Sequence, residues 1–384
     1  MSKPQIVCLQ NTLKIFRFYA MFPEKDKELN PGKYHYVKFA ILACFSSVVL
    51  IGSFLHLIKS VNANNYLSLD TDLIYTLSLG ITFAFSIGFL YKTEALVEFF
   101  LFLSDFEEFG KPLDFDRDNT FYDRLSIYHY IYLETLVSGI VIISTYLNMN
   151  KCQKLNLEYG LDEICGLFSY TWMPFEIDYF PMRQIFLVVQ LFGAHHFYMI
   201  AGMCAWFVFE TVQHFRIRIR HVNFLFQEAI KEEDPQRCRE KFNHAARYHA
   251  SLLGLEDKMN GAFGTFMFTH MVITAPIIGV GVFAIVSGGS VSSFLVCLGW
   301  FGGLAMACFG GQWLQDECFA VGTDLYEADW LHCPEDIKKD IMIVIQRSWT
   351  PMYLRASSFG IMNYRMFLGV LKASYSYITL LTQT

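Results

Sequence analysis

Seven apolar stretches divide the 384-residue chain, at 37–58, 69–91, 125–147, 182–212, 262–287, 291–319 and 359–381. Each is long enough to cross a hydrocarbon layer about 30 Å thick at roughly 1.5 Å of helix per residue. A segment inside lipid must satisfy its own backbone hydrogen bonds, and for runs of this length that means helices. The expected fold class is therefore an all-α integral membrane protein with seven transmembrane helices. Composition agrees: 54% of residues are apolar and 17% charged, against about 25% charged in soluble domains. A length that would suggest two or three soluble domains is taken up by a single seven-helix membrane domain, 1–384.

The loops set the direction. Lys3, Lys14, Arg17, Lys25, Lys27, Lys33 and Lys38 lead into the first stretch, whereas the first loop carries only Lys59. The second loop has Lys92, Lys111, Arg117 and Arg124; the third has Lys151 and Lys154, with Arg183 at the edge of the next stretch. The fourth holds Arg216, Arg218, Arg220, Lys231, Arg237, Arg239, Lys241, Arg247 and Lys258, the fifth holds none, and the sixth holds Lys338, Lys339, Arg347 and Arg355. Basic residues gather on alternate loops, so the N-terminus is expected in the cytoplasm and the C-terminus outside. That is the reverse of G-protein-coupled receptors. The net charge of −6 makes no case for a nucleic-acid partner, and membrane lipid is the implied surroundings.

The layout is then a cytoplasmic N-terminal arm at 1–36, spans one to four within 37–212, a cytoplasmic helical hairpin extension at 213–261, spans five and six within 262–319, a cytoplasmic amphipathic helix at 334–351, and a final helix at 359–384. The arm mixes basic and apolar residues without a continuous apolar core, so it does not read as a signal peptide. In the hairpin, Phe215, Ile219, Val222, Phe226 and Ile230 share one helical face until Glu233-Asp234-Pro235 interrupts it. Ile337, Ile341, Val344 and Ile345 form a second stripe between Pro334 and Pro351. Apolar stripes outside lipid need cover, and partner subunits in an oligomerisation or anchoring region are the expected cover. Glycines crowd spans five and six, where close helix packing is expected and a hinge is the alternative.

No metalloprotease, hydrolase, nucleotide-binding or dinucleotide-binding motif occurs. The chain is not expected to be an enzyme, to hold a cofactor or to bind a metal. His195 and His196 are adjacent, so on a helix they point about 100° apart and cannot share one ion. Ten cysteines form no metal pattern. Cys152 and Cys165 share a polar loop, where free thiols are expected over a disulfide. Polar groups inside spans are costly unless used, which draws attention to Glu134, Ser138, Tyr146, Gln190 and the histidine pair. A pocket for a small, weakly polar molecule is expected in the outer half, from Leu73, Leu77 and Ile81 of the second span, Ser138, Ile142 and Tyr146 of the third, and Phe186, Gln190 and Phe197 of the fourth. For each the alternative is interhelical packing and hydrogen bonding. Glu134 is expected to pair within the bundle.

The final helix is the unusual one. Gly369, Ala373, Ser376, Leu380 and Gln383 alternate at spacings of four and three and so share a face that is small or polar except at Leu380. Such a face lines water, with the leucine as its narrowest ring, or lets a neighbouring helix approach closely.

Here the residues carry a resemblance. The terminal LKASYSYITLLTQT, with LYEADW at Tyr326 to Trp330 and the break at Pro351, resembles the last third of insect odorant receptors; the layout agrees along the whole chain. The resemblance implies a ligand-gated, non-selective cation channel of four subunits in the plasma membrane of an olfactory sensory neuron. Its final helices line a pore, with Ser376 facing it, Leu380 as gate and Gln383 as a polar ring, and permeating cations pass between them. It also implies two subunit types, one binding a small volatile odorant and one a shared co-receptor with a much longer second cytoplasmic loop. That loop, 92–124, is short here, as in the odorant-tuned subunit. The family's Pro-Leu-x-Leu-x-Ala-Gly run appears as TPMYLRASSFG, with Ala356-Ser357 in place of Ala-Gly. A metabotropic seven-helix chemoreceptor and a gustatory-type receptor channel are the alternatives.

Overall fold

The computed structural model describes residues 5–24, 32–63, 69–288 and 291–383. Nine helices lie among them: α1 Gln10–Phe18, α2 Lys33–Asn62, α3 Leu69–Leu103, α4 Phe115–Tyr159, α5 Met182–Ile230, α6 Pro235–Gly288, α7 Val291–Glu327, α8 Glu335–Ser348 and α9 Tyr364–Gln383. A two-stranded antiparallel hairpin, β1 Arg355–Ala356 and β2 Gly360–Ile361, is the one departure from an all-helical chain among the described residues. Helices α2 to α7 are long and apolar enough to cross a membrane. The seventh apolar stretch is different: its first residues form β2, the helix begins only at Tyr364, and α9 is not among those six. Arg365, Lys372 and a run of tyrosine, serine and threonine dilute its apolar character.

The helices are longer than the apolar runs that seed them. With 49 and 54 residues, α5 and α6 reach about 74 and 81 Å at 1.5 Å per residue, so each continues well beyond a bilayer core. They are joined by a short turn before Pro235, which begins α6, a position where its missing N–H costs nothing. The result is an antiparallel hairpin at one end of the bundle. The segment between α3 and α4 shrinks to 104–114 because both helices overrun the expected loop.

The hairpin stripes are covered by the chain itself, which corrects the expectation that partner subunits must cover them. Phe215, Ile219, Val222, Phe226 and Ile230 are buried, as are Ile337, Ile341 and Val344 of α8. They pack with Phe242, Tyr248 and Leu252 of α6 in one continuous core, and Phe226 meets Phe242 at 5.2 Å between ring centroids. Arg239 then bridges α6 to both Asp336 and Asp340 of α8. Hydrogen bonding to that guanidinium holds the Asp336 carboxyl below its ordinary range. The N-terminal arm also goes inward: Ile6, Leu9, Leu13 and Phe16 are buried, with Phe16 against Phe89 of α3 and Phe207 of α5.

At the opposite end, Cys152 of α4 is disulfide-bonded to Cys165, which corrects the free-thiol expectation. The reason is local: Gly160 ends α4 in a left-handed conformation and turns the chain back, where Asn156 donates to the Glu163 carbonyl and accepts from its N–H. The two Cα atoms come within 5.5 Å. With a sequence separation of 13 between the cysteines, replacing both by serine is expected to lower stability by about 2–3 kcal/mol, read as a fall in Tm of the detergent-solubilised protein. An unchanged Tm would show that the loop is held without the bridge.

Leading into α9, Ser357 takes a φ of 52°. This is the position of the resembled family's glycine, and a left-handed serine costs about 1–2 kcal/mol relative to its ordinary conformations. The turn rests on α6, where a side chain at Gly264 would meet the Ser357 backbone at 3.3 Å. Helix α9 packs mainly on α6 and secondarily on α7. Gly279 lets α6 approach so closely that a methyl there would lie 2.5 Å from the Tyr377 Cβ.

Candidate functional site

A cleft opens between α4, α5 and α7 at mid-height in the bundle. Helical spacing builds each wall: Leu133, Leu136, Val137 and Ile140 from α4, Tyr198, Ala201, Gly202 and Ala205 from α5, and Leu295, Gly299, Gly302, Gly303 and Met306 from α7. Spacings of three and four put each set on one face. His129, Tyr132, His270 and Trp300 supply the polar atoms. The His129 ring stacks on Trp206 at 4.9 Å and its Nε2 lies 3.4 Å from the Gly202 carbonyl oxygen. His270, from α6, lies 5.1 Å from the Trp300 ring.

Two of the α7 glycines make the space. A methyl at Gly302 would meet nothing within 4 Å, and one at Gly299 only Leu136 at 3.7 Å. By contrast, a methyl at Gly303 would sit 2.9 Å from His270 Nε2. Close packing, the expected role, holds for Gly303 but not for its neighbours. The free volume is about 60 Å³, where one water needs roughly 10–15 Å³. Mostly apolar walls with a few polar groups suit one small, weakly polar molecule.

The nine residues expected to form a pocket do not converge. Ser138, Ile142 and Tyr146 are exposed on the outer side of α4. The inward side of that helix carries Leu133, Val137, Ile140 and Ser144 instead, the last in a 2.8 Å hydrogen bond with the Tyr75 hydroxyl. Tyr146 stands at the end of the apolar stretch 125–147, well inside α4, a position that suits an aromatic with a polar tip. Leu73, Leu77 and Ile81 of α3 are half-buried against the core, and Phe197 is within it. Phe186 joins a separate cluster with Leu167 and Ile177.

Gln190 is buried and bonded through both its oxygen and its nitrogen, accepting from the Phe168 N–H at 3.0 Å and donating to Thr171 at 2.7 Å. It ties down the loop after α4. His56 reinforces the same loop, with Nδ1 2.8 Å from Asp72 and Nε2 2.9 Å from Glu163. Burial would raise the Glu163 carboxyl, but the bonds and charge of His56, with Lys59 beyond, leave it below its ordinary range. Glu134 is paired, with His195 at 2.9 Å and the Tyr130 hydroxyl at 2.6 Å. His196 bonds Ser46 at 2.8 Å.

In α9, Val370 and Ser374 are buried against the bundle, with Met366, Phe367, Ile378 and Leu381 half-buried beside them. Gly369, Ala373, Ser376 and Leu380 are on the exposed side. A methyl at Gly369 would touch nothing within 4 Å, so the small-residue stripe receives no helix of its own chain among the described residues. The Gln383 side chain lies outside the described residues. No group of three or more residues suited to a metal ion occurs among those described.

Comparison with known proteins adds three findings. The 7tm Odorant receptor family matches residues 89–375, well over half of the chain. Odorant receptor 82a of Drosophila melanogaster is 25% identical over 139 residues, covering 35% of this chain and 36% of that protein. Odorant receptor 85f of the same organism is 25% identical over 191 residues, covering 47% of each. Aligned in this way, the chain spans less than half the length of these curated relatives. The insect olfactory receptor OR5 from Machilis hrabei superposes with a TM-score of 0.77 at 12% identity, over 98% of this chain and 97% of that one. Its structure in complex with eugenol matches with the same TM-score at 11% identity, over 98% of each chain. At these identities the structural likeness concerns the fold.

Proposed function

Because the chain belongs to the 7tm odorant receptor family, we propose that it is the odorant-tuned subunit of a ligand-gated, non-selective cation channel. In this reading α9 is the seventh span, the hairpin end faces the cytoplasm and the disulfide end faces outward, as the alternating loop charges favour. The protein is then a multi-pass receptor of the olfactory neuron's plasma membrane, assembled with a shared co-receptor into a tetramer. The short 104–114 segment supports the tuned role through the resemblance.

One observation carries the mechanism: α7 separates the cleft from α9 and touches both. One face presents Gly299, Gly302 and Met306 to the cleft. On another, Phe301 and Phe309 lie 5.5 and 5.4 Å from the Phe367 ring of α9, and Gly311 admits the Met362 carbonyl just before α9 so closely that any side chain would collide. A small volatile molecule filling the cleft favours one placement of α7 over another. That preference shifts the population of α9 positions only by the molecule's differential affinity for the two states. The exposed stripe of Gly369, Ala373, Ser376 and Leu380 supports a pore-facing surface. A eugenol complex of the OR5 protein supports a ligand of that size and polarity.

The test is a panel of volatile ligands applied to cells expressing this chain with and without the co-receptor, reading cation current. Currents evoked by a small subset of ligands and dependent on this chain are expected. A response that requires a soluble transducer and persists without cation flux would favour the metabotropic alternative.

A further inference from the structure

We propose that the groove between α3 and α6 is a binding site for an anionic phospholipid drawn from the leaflet on the hairpin side. The groove is distinct from the cleft above. Ala84, Gly88 and Phe89 of α3 and Ala262, Thr265 and Phe266 of α6 line it, around a free volume of about 220 Å³. Its back wall is a cluster of tilted rings, Phe266 lying 4.3 Å from Phe85 and 5.7 Å from Phe89. A methyl at Gly88 would meet nothing within 4 Å, so the slot is open at that position. Those walls match an acyl chain.

The mouth selects the head group. Lys92 stands one turn beyond Gly88 on α3 and lines the same groove. Lys258 stands one turn before Ala262 on α6, on the face that Ala262, Thr265 and Thr269 continue. The helices run antiparallel, so both lysines come at the hairpin end of the groove, Lys92 in its wall and Lys258 one turn past Ala262, the last α6 residue to line it on that side. Both are exposed, and neither makes an ion pair among the described residues. Glu94 projects about 200° away from Lys92 around α3 and does not neutralise it. Two uncompensated cations at the lip of an apolar slot complement one phosphate above its own fatty chain.

The proposal rests on the hairpin end facing the cytoplasm, and it does not require that the chain conduct. The full-length chain is reconstituted in phosphatidylcholine with or without phosphatidylserine, re-extracted, and its retained lipid read by native mass spectrometry, with Tm measured in parallel. Wild type is expected to retain phosphatidylserine in preference to phosphatidylcholine and to gain Tm with it. Lys92→Ala and Lys258→Ala should each weaken the preference about fivefold. Gly88→Leu should remove retention without changing charge, and an unchanged Tm in pure phosphatidylcholine establishes that each variant is folded. Equal retention of both lipids, or retention untouched by the lysine variants, overturns the site. Displacement by inorganic phosphate alone would overturn the acyl-chain part of it. Loss of odorant-evoked current with lipid retention intact would instead count against the proposed channel function.

Discussion

Leu380→Ala is expected to raise the basal cation current of the co-receptor complex about tenfold or more and to leave the amount of folded protein at the membrane unchanged. Leu380 is 60% exposed in the isolated chain, whereas the residues that hold α9 to the bundle, Val370 and Ser374, are buried. The substitution therefore removes nothing from the fold. In the channel proposed above, a closed ring would bury the leucine against its counterparts from neighbouring subunits, and an open one would leave it wet. Burying a leucine side chain is worth about 1.5–3 kcal/mol, so truncation weakens the closed state by that order. A tenfold change in an equilibrium corresponds to about 1.4 kcal/mol. Unchanged basal current together with unchanged permeation would remove Leu380 from the gate and return the small-residue stripe to a role in helix association.

Much of the architecture was legible because bilayer thickness imposes a length on apolar runs. Six of the seven stretches sit wholly within the expected long helices, and the hairpin turn falls at the Glu233-Asp234-Pro235 break. The last stretch was only partly legible. Apolar content places a helix over 360–363, but the short β-hairpin occupies that position because Ser357 turns the chain back and Asn363 then starts the helix, its side chain accepting from the Met366 N–H at 2.9 Å. The disulfide was hidden for another reason. Sequence spacing says nothing about the direction of the chain after α4, and the return is made by one left-handed glycine and one asparagine.

The candidate site was less legible than the fold. Polarity in the third span points Glu134, Ser138 and Tyr146 inward, yet the helix turns Glu134 and Ser144 to the bundle and leaves Ser138 and Tyr146 outside. A lone serine or a boundary tyrosine is tolerable in lipid, so polarity alone does not orient a helix. Hydrogen-bond capacity explains Gln190 similarly: a buried amide with two donors and an acceptor is more readily used to fasten a loop than to meet a volatile ligand. The signal that marks the cleft lay in the α7 glycines. Gly299, Gly302 and Gly303 fall on neighbouring positions of one face, but only the facing side chains distinguish a glycine that admits a neighbour from one that leaves space.

That distinction yields the second large effect. Gly302→Leu places four carbons in a space of about 60 Å³ from a position where the Cβ meets no atom within 4 Å. The backbone has no need to move, so surface expression and Tm should match the wild type. The odorant dose–response should shift at least tenfold or vanish, since a ligand that must share the cleft loses contacts worth about 1–3 kcal/mol for even one methylene of misfit. Gly303→Leu provides the contrast. Its Cβ would lie 2.9 Å from the His270 ring and 3.3 Å from the Ala205 Cβ, so it forces α7 away from α5 and α6 and should lower folded protein before any ligand is added. If Gly302→Leu leaves the dose–response unchanged at normal expression, the ligand does not occupy this cleft. The coupling through α7 would then have to begin from another of its faces.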